Sequence, residues 1–369
     1  MVLKESNGKV RKTFFGCNTA HGFHTFYDFF PDLNNARIFI VKGGPGTGKS
    51  TFIKTVAEAM LENGYSIELQ FCSLDPGSLD AVVIPEIKGV VVAATGHHVF
   101  DPANPGVVDE IINLGQFWNE EGIRIHAKEI LAINNESHRL FHKVYRYLGA
   151  AALIQDNIED DYAIFLNMGK LNQATEKLTR SLLEGMEISD CVGKERHLFV
   201  SSITSEGHIS HTETIANGDT RIIALRGGGV KTRSEILSRI AEEGKRRGHL
   251  VHYYHYPLNH HFIEQVMIPQ SNILISANSD LLAYNGNVEI FDLNGFLDSR
   301  FHELSSDVDS VHQKFARILD DAVQSLSLTR KTHSQLEQYY ISNMNFQAVD
   351  QCRNETIDKL LQHAETFYN

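Results

Sequence analysis

Cysteine, proline and tryptophan are scarce in this chain of 369 residues, which has four cysteines, eight prolines and one tryptophan. The cysteines are scattered and form no C-x-x-C pair, so the sequence predicts neither a disulfide framework nor a zinc knuckle. No run approaches the roughly 18 apolar residues of a membrane helix, and the first residues form no signal-peptide core. We therefore expect a cytoplasmic protein without a membrane partner.

The chain also has little positive charge, with 34 lysines and arginines against 46 aspartates and glutamates. The formal net charge of −12 argues against binding to nucleic acid, whose phosphates require clustered basic residues. Hydrophobic residues make up 42% of the sequence, as in an ordinary globular protein, and the length favours two or three domains.

The most informative feature that is present is the run Gly-Gly-Pro-Gly-Thr-Gly-Lys-Ser at 43–50. It fits the pattern G-x-x-x-x-G-K-[ST], in which backbone N–H groups surround phosphates. An apolar run at 37–41 precedes it, and apolar residues at helical spacing follow it as far as 63–64, so strand, loop and helix occur in the required order. The residues expected to bind a nucleotide are Gly44, Pro45, Gly46, Thr47, Gly48, Lys49, Ser50 and Thr51.

Three of these residues have specific expected roles. Lys49 should bridge the β- and γ-phosphate oxygens and offset the charge that develops during phosphoryl transfer, which makes it a candidate catalytic residue. Ser50 is the candidate Mg²⁺ ligand, and Thr51 should help to hold the start of the helix.

A phosphate-transferring site also needs a carboxylate, and the candidates follow the next strand. Asp75 comes just past the apolar run that ends near Cys72, where it could accept the proton of an acceptor hydroxyl or simply begin the turn at Pro76-Gly77. Asp80 is expected to begin the next helix as an N-cap or first-turn acid. Asp75 is therefore the second candidate catalytic residue.

The sequence repeats itself with an offset of 184 residues, which pairs Gly43 with Gly227. The apolar positions of the following helix and strands coincide in the same register. Similarity over half a chain indicates a duplicated fold. It predicts two tandem α/β domains of the P-loop type with parallel sheets, at 1–190 and 191–369, the second with a degenerate loop.

Each half ends in a strongly helical segment, at about 119–188 and about 300–369. In the first segment the acidic run at 159–161 is expected to be a turn between two amphipathic helices. We expect each segment to form a helical hairpin on the sheet of its own half, with a mobile lid over substrate as the alternative. The stretches at 11–27 and 196–212 are expected to form short antiparallel hairpins.

The second loop, Gly-Gly-Gly-Val-Lys-Thr-Arg-Ser at 227–234, departs from the pattern. Two β-branched residues stand where the first loop has Gly46 and Gly48, and Arg233 replaces the loop lysine. An alternative pairing puts Lys231-Thr232 in the Lys-Ser role, but the constant offset on both sides disfavours it. We expect this copy to be a scaffold or an interaction surface.

Histidine is abundant, with 19 residues, but its spacing matches no zinc motif. His252 and His255 would point to opposite faces of a strand, so they could not share one ion without distortion. His97 and His98 follow the strand expected beside the loop strand, at the edge where ligands bind, and are candidates for a lesser role.

The segment at 43–51 resembles the P-loop NTPase superfamily. More narrowly, the stretches at 72–80, 84–86 and 100–115 resemble a bacterial family of tandem, duplicated P-loop ATPases. This resemblance implies ATP binding, with ATP hydrolysis as the expected activity, and the loop motif adds Mg²⁺ as the expected cofactor. The chain departs from the usual pattern in its second loop and in having Ala93-Ala94 where an acid would end the strand, which argues for slow hydrolysis.

The leading hypothesis is an Mg-ATP-binding protein and slow ATPase that acts through its first half, with the second half and the helical segments transmitting the state to a protein partner. The first alternative is a kinase for a small-molecule or nucleotide acceptor, with Asp75 as base. The second is a nucleotide-sensing module without catalysis. No arginine finger can be chosen among Arg139, Arg146 and Arg180, all in the first helical segment.

Overall fold

Two α/β units, whose elements follow the same order except for one short helix, make up this computed structural model. It describes residues 8–27, 36–94, 101–278 and 288–367, and their side chains except at 302–307. The elements of the first half are β1 (Val10–Phe14), β2 (Gly16–Thr19), β3 (Gly22–Thr25), β4 (Arg37–Lys42), α1 (Lys49–Glu62), β5 (Ile67–Phe71), β6 (Leu79–Ile84), β7 (Gly89–Ala93), β8 (Asp109–Asn113), α2 (Glu120–Arg124), α3 (Ala127–Phe165) and α4 (Met168–Leu183). Those of the second half are β9 (Glu195–Leu198), β10 (Ser201–Thr204), β11 (Gly207–Ser210), β12 (Arg221–Arg226), α5 (Val230–Arg246), β13 (Val251–His255), β14 (Ile263–Ile268), β15 (Ile273–Ser276), β16 (Val288–Asp292), α6 (Ser305–Ile341) and α7 (Phe346–Phe367).

Each half contains a six-stranded sheet with the same strand order. The order is β1-β5-β6-β7-β4-β8 in the first half and β9-β13-β14-β15-β12-β16 in the second. The strand before the first loop, β4, lies between β7 and β8 and is parallel to both. Its residues from Ile38 to Val41 are fully buried, as expected of a strand covered on both faces. The predicted α/β architecture is therefore confirmed.

The expectation of parallel sheets is wrong in one respect, because both sheets are mixed. β6 is antiparallel to β5 and β7, and β14 is antiparallel to β13 and β15. The physical reason is the short connections at 72–78 and 85–88. A parallel crossover needs a dozen or more residues, so short connections favour antiparallel neighbours.

The predicted N-terminal hairpins are confirmed in part. β2 pairs with β3, and β10 pairs with β11, each as a short antiparallel hairpin. The strands just before them behave differently, because β1 pairs in parallel with β5, and β9 pairs in parallel with β13. Only the second part of each predicted segment therefore forms a hairpin.

The helical segments are exchanged between the two halves. Leu171 and Leu183 of α4 belong to the core that surrounds α5 in the second half. Val349 and Leu360 of α7 belong to the core around α1 in the first half. The expectation that each hairpin packs on the sheet of its own half is therefore wrong. Because the two sheets are nearly equivalent, the apolar pattern of a helix does not specify which one it covers.

The predicted turn at 159–161 is also wrong, because α3 continues through it to Phe165. Glutamate is a good helix former and aspartate is tolerated, so three acids in a row do not by themselves break a helix. The real turn follows at Leu166, and the side chain of Asn167 caps α4 by accepting from the N–H of Lys170 at 3.1 Å.

The long helices α3 and α6 run side by side in opposite directions between the two halves. The end of α3 lies near the start of α6, where Leu166 forms a bridge with Leu297, and Trp118 before α3 forms one with Met344 after α6. Apolar residues of both helices share one buried cluster, which includes Val144, Leu148, Ala151, Ala322 and Leu326. The long helix α3 therefore places α4 on the second half, and α6 places α7 on the first.

The two sheets also meet directly. The N–H of Phe14 donates to the carbonyl of Phe199 at 2.8 Å. Nearby, the carboxylate of Glu68 is almost fully buried and accepts hydrogen bonds from Arg196 of the second half, at 2.8 and 2.5 Å, and from Arg11 at 2.8 Å. An ion cluster around a buried carboxylate therefore joins the two halves.

Candidate functional site

The first loop connects β4 to α1 in a conformation that requires glycine at two places. Gly46 has φ +68 and Gly48 has φ +90, and Gly48 is the N-cap of α1. Residues with a Cβ rarely adopt these angles, which let the backbone curl in front of the helix N-terminus. The hydroxyl of the buried Thr47 donates to the carbonyl of Gly44 at 2.9 Å and fixes the curl.

The ammonium group of Lys49 lies inside this curl. Its Nζ donates to the carbonyl oxygens of Gly43 at 3.1 Å and Gly44 at 2.6 Å. Burial lowers the pKa of Lys49 to about 8, against the opposing attraction of Asp80 and Glu337. The lysine therefore remains mostly charged at neutral pH. Its ammonium group is held by carbonyl oxygens of its own loop.

Ser50 and Thr51 have different surroundings. Ser50 Oγ accepts from the N–H of Leu79 at 2.8 Å, and Ser234 in the second half accepts from Ile263 in the same way, also at 2.8 Å. This bond is a shared structural feature, and it leaves Ser50 a second lone pair. Thr51 is exposed on α1. The role of Ser50 as a Mg²⁺ ligand stays a prediction.

Asp80 lies near the lysine, and Asp75 lies near Asp80. Asp75 Oδ2 accepts from Ser78 Oγ at 2.6 Å, and Arg330 Nη2 lies 2.7 Å from Asp75 Oδ1. Asp80 lies in β6, so the expectation that it begins a helix is wrong. Because β6 runs antiparallel, its first residues lie at the same sheet edge as the ends of β4 and β5.

Sequence reasoning missed that Asp80 lies beside Lys49. Burial raises the pKa of Asp80 to about 7, against the opposing effects of the Cys72 thiol and the Lys49 ammonium. The signal that could have revealed it is the short spacing between Phe71 and the run at 79–84, which requires an antiparallel return to this edge.

Helix α6 of the second half lies directly on the first loop. A Cβ added to Gly46 would lie 2.7 Å from the carbonyl oxygen of Glu337, and one added to Gly44 would lie 3.0 Å from Tyr340 Cε1. His333 and Arg330 lie on the same helix, one and two turns before Glu337 respectively, and the charges of Lys49 and Asp75 both act on His333. Sequence reasoning missed these α6 residues because nothing local links them to a loop almost 300 residues away.

The second loop holds its basic residue in the same way. Arg233 Nη1 donates to the carbonyl oxygens of Gly227 and Gly228, both at 3.2 Å, which are the positions that match Gly43 and Gly44. Arg233 therefore occupies the place of the loop lysine, and the alternative pairing through Lys231-Thr232 is wrong.

The second loop nevertheless lacks the curl. Its helix α5 begins at Val230, which matches Gly46, whereas α1 begins three residues further on, at Lys49. The positive φ angles occur earlier, at Gly227 and Gly228. The residues that surround the helix start in the first loop are therefore part of the helix in the second.

A carboxylate from α3 occupies the start of α5. Glu159 Oε1 accepts from the N–H of Val230 at 2.6 Å, and Oε2 accepts from the N–H of Lys231 at 3.0 Å. Burial raises the pKa of Glu159, and these two bonds oppose the shift. A helix N-terminus attracts anions, and here an internal glutamate takes the place that a phosphate would occupy.

The histidines divide into separate groups. His255 Nε2 lies 2.7 Å from His197 Nδ1, whereas His252 is next to Arg196 on the other face of β13. Within the described residues, no group of three or more histidines, cysteines or acids could hold a metal ion. The candidates His97 and His98 lie outside the described residues, and all four cysteines are free thiols.

Comparisons with protein-family models, with curated proteins and with solved structures found no match to this chain. None of the helices in the described part of the chain is long and apolar enough to cross a membrane. The interpretation of the site therefore depends on its own geometry.

Proposed function

We propose that the chain binds Mg-ATP at the first loop and hydrolyses it slowly. The observation that carries this proposal is the curl made by Gly46 and Gly48 at positive φ in front of α1, with the Lys49 ammonium held inside it. Backbone N–H groups at a helix N-terminus, together with a buried cation, form an environment that favours phosphate. The second loop has the cation but not the curl.

The loop residues have defined tasks in this proposal. The ammonium of Lys49 would exchange the carbonyl oxygens that it contacts for β- and γ-phosphate oxygens. Ser50 Oγ would hold Mg²⁺, which neutralises charge on the phosphates when bound. Thr47 keeps the curl closed through its bond to the carbonyl of Gly44.

Two contacts support slow turnover. Helix α6 lies on the loop at Gly46 and narrows the approach of a nucleotide to the curl. Asp75 is held by Ser78 and Arg330, which occupy the carboxylate that would orient the attacking water.

A kinase acting on a small molecule or a nucleotide is the second candidate. The observation that favours it is the short bond from the Ser78 hydroxyl to Asp75, at 2.6 Å, because a catalytic base engages an acceptor hydroxyl with similar geometry. In this case the exchanged hairpin of α6 and α7 would be the lid.

Phosphate release with Mg-ATP tests the proposal on wild type, Lys49→Ala and the matched control Arg233→Ala. We expect slow release without any acceptor, a loss of about 100-fold or more in Lys49→Ala, and less than about a 2-fold change in Arg233→Ala. Turnover that requires an added acceptor and is lost in Asp75→Asn would favour the kinase. Tight binding without turnover would indicate a sensor.

A further inference from the structure

The helices that cover the two loops can be compared residue by residue. The N–H of Asn167 donates to the carbonyl of Phe296, and the N–H of Asn345 donates to that of Phe117, both at 2.9 Å. The starts of α4 and α7 therefore occupy equivalent places, and a shift of 178 residues aligns α3 with α6.

This register shows what the two covering helices have in common. Glu337 of α6 matches Glu159 of α3, and each glutamate lies against the loop of the other half. Tyr340 matches Tyr162 in the same register. Both loops are therefore covered by a glutamate and, one turn later, by a tyrosine.

The register also shows where the helices differ. Arg330 of α6 matches Ala152 of α3, and His333 matches Gln155. Burial lowers the pKa of His333 and so disfavours its charged form, whereas an arginine is always charged. Of the two covering helices, therefore, only α6 has a permanent cation at this position, and α6 covers the loop that keeps its lysine and its glycine curl.

Asp75, an acidic partner of Arg330, is also present only in the first half. Arg330 Nη2 lies 2.7 Å from Asp75, which matches Asn259 in the second half. Its Nη1 donates to Glu206 at 2.6 Å, on the turn between β10 and β11. The side chain is 37% exposed, so solvent reaches the guanidinium, but turning it away from Asp75 would take its contact from the buried Oδ1 of Asp75.

We propose that Arg330 contacts the γ-phosphate of the nucleotide at the first loop and stabilises the charge that develops during hydrolysis. The second half would thus supply a catalytic residue to the first. This inference rests on the proposed function and deepens it.

In the hydrolysis step, the oxygen of water bonds to the γ-phosphorus, and the bond to the β,γ-bridging oxygen breaks with its electron pair on ADP. The proton of the water passes to inorganic phosphate. A planar guanidinium can pair with two oxygens of the transferred group at once.

Binding and turnover measured separately test this role. In Arg330→Ala we expect the Kd of ATP to change by less than about 3-fold, and the single-turnover rate to fall by about 1,000-fold, the low end for such arginines. The affinity for ADP with aluminium fluoride, which imitates the transition state, should fall much more than the affinity for ATP. Arg330→Lys should recover only a small part of the rate, because an ammonium cannot make the paired contact.

Two further variants separate this role from that of a clamp on Asp75. Glu206→Gln removes a partner of Arg330 but keeps the guanidinium, and we expect its rate to stay within about 3-fold of wild type. Arg330→Ala should still lower the rate in the Asp75→Asn background. If that double variant is no slower than Asp75→Asn, Arg330 acts only through Asp75 and the proposal is overturned. Wild type that binds no ATP would instead overturn the proposed function.

Discussion

The loops at 43–50 and 227–234 place a basic side chain on the same pair of backbone carbonyls, yet only the first retains a curl in front of its helix. In the second, the helix begins at Val230 and its free N–H groups are bound by Glu159. A duplicated loop can therefore lose the open start of its helix without losing its fold. Two glycines decide whether the helix start stays open, and a carboxylate from the neighbouring half satisfies it once it closes.

The largest effect on the free energy of unfolding is expected at Glu68, in the ion cluster that joins the halves. Glu68 matches His252 in the second half, so the duplicated sheets bring unlike residues to their contact. Glu68→Gln should lower the free energy of unfolding by about 3–5 kcal/mol, because it leaves Arg11 and Arg196 without their buried carboxylate. Urea denaturation measures the loss. Glu176→Gln, at an exposed helix position, should change it by less than about 0.5 kcal/mol.

The same carboxylate predicts an acid limit of stability. The two arginines overcome burial and hold the pKa of Glu68 at about 2, below its ordinary value of 4.5. Its stabilisation, on the order of 3 kcal/mol, is present above pH 4.5 and is lost as the pH falls toward 2. Unfolding followed between pH 7 and pH 2 should show this loss in wild type and a weaker dependence in Glu68→Gln. Equal pH dependence in both proteins would contradict the assignment.

Replacing Gly46 with valine, the residue at the matching position 230, should give the first loop the closed conformation of the second. Gly46→Val puts a Cβ 2.7 Å from the Glu337 carbonyl and forces a β-branched residue to φ +68, so we expect a cost of about 2 kcal/mol and loss of ATP binding. Thermal unfolding and nucleotide titration measure the two effects. Gly218→Ala is the matched control, because an added Cβ there has nothing within 4 Å. A Gly46→Val protein that binds ATP normally would refute the role of the curl.

The smallest effect is expected at the carboxylate that closes the second loop. Glu159→Gln keeps the size of the side chain but removes the charge at the start of α5, which should cost about 1 kcal/mol. Because the curl is absent there, the variant should gain no second nucleotide site. Denaturation and nucleotide titration of the same sample check both points, and a newly acquired site would show that Glu159 alone blocks the loop.

Local patterns were enough to predict the strand, loop and helix around residues 37–62 and the duplication. These features depend on apolar periodicity and on glycine positions within a few residues. The antiparallel course of β6 was missed, although the short connections at 72–78 and 85–88 carry the signal. Asp80 was consequently assigned to a helix rather than to the edge beside Lys49.

The exchanged helices could not be predicted in the same way. Both sheets offer equivalent surfaces, so the apolar face of α4 or α7 fits either half, and only the path of α3 and α6 decides between them. The acids at 159–161 indicated a turn because the partner of Glu159, the start of α5, is distant in the sequence. The residues of α6 above the first loop were missed for the same reason.

Equilibrium titration with Mg-ATP tests the asymmetry of the two loops most directly. We predict one nucleotide per chain, with binding lost in Lys49→Ala and retained in Arg233→Ala. Two nucleotides per chain, or one that survives Lys49→Ala and is lost in Arg233→Ala, would contradict it.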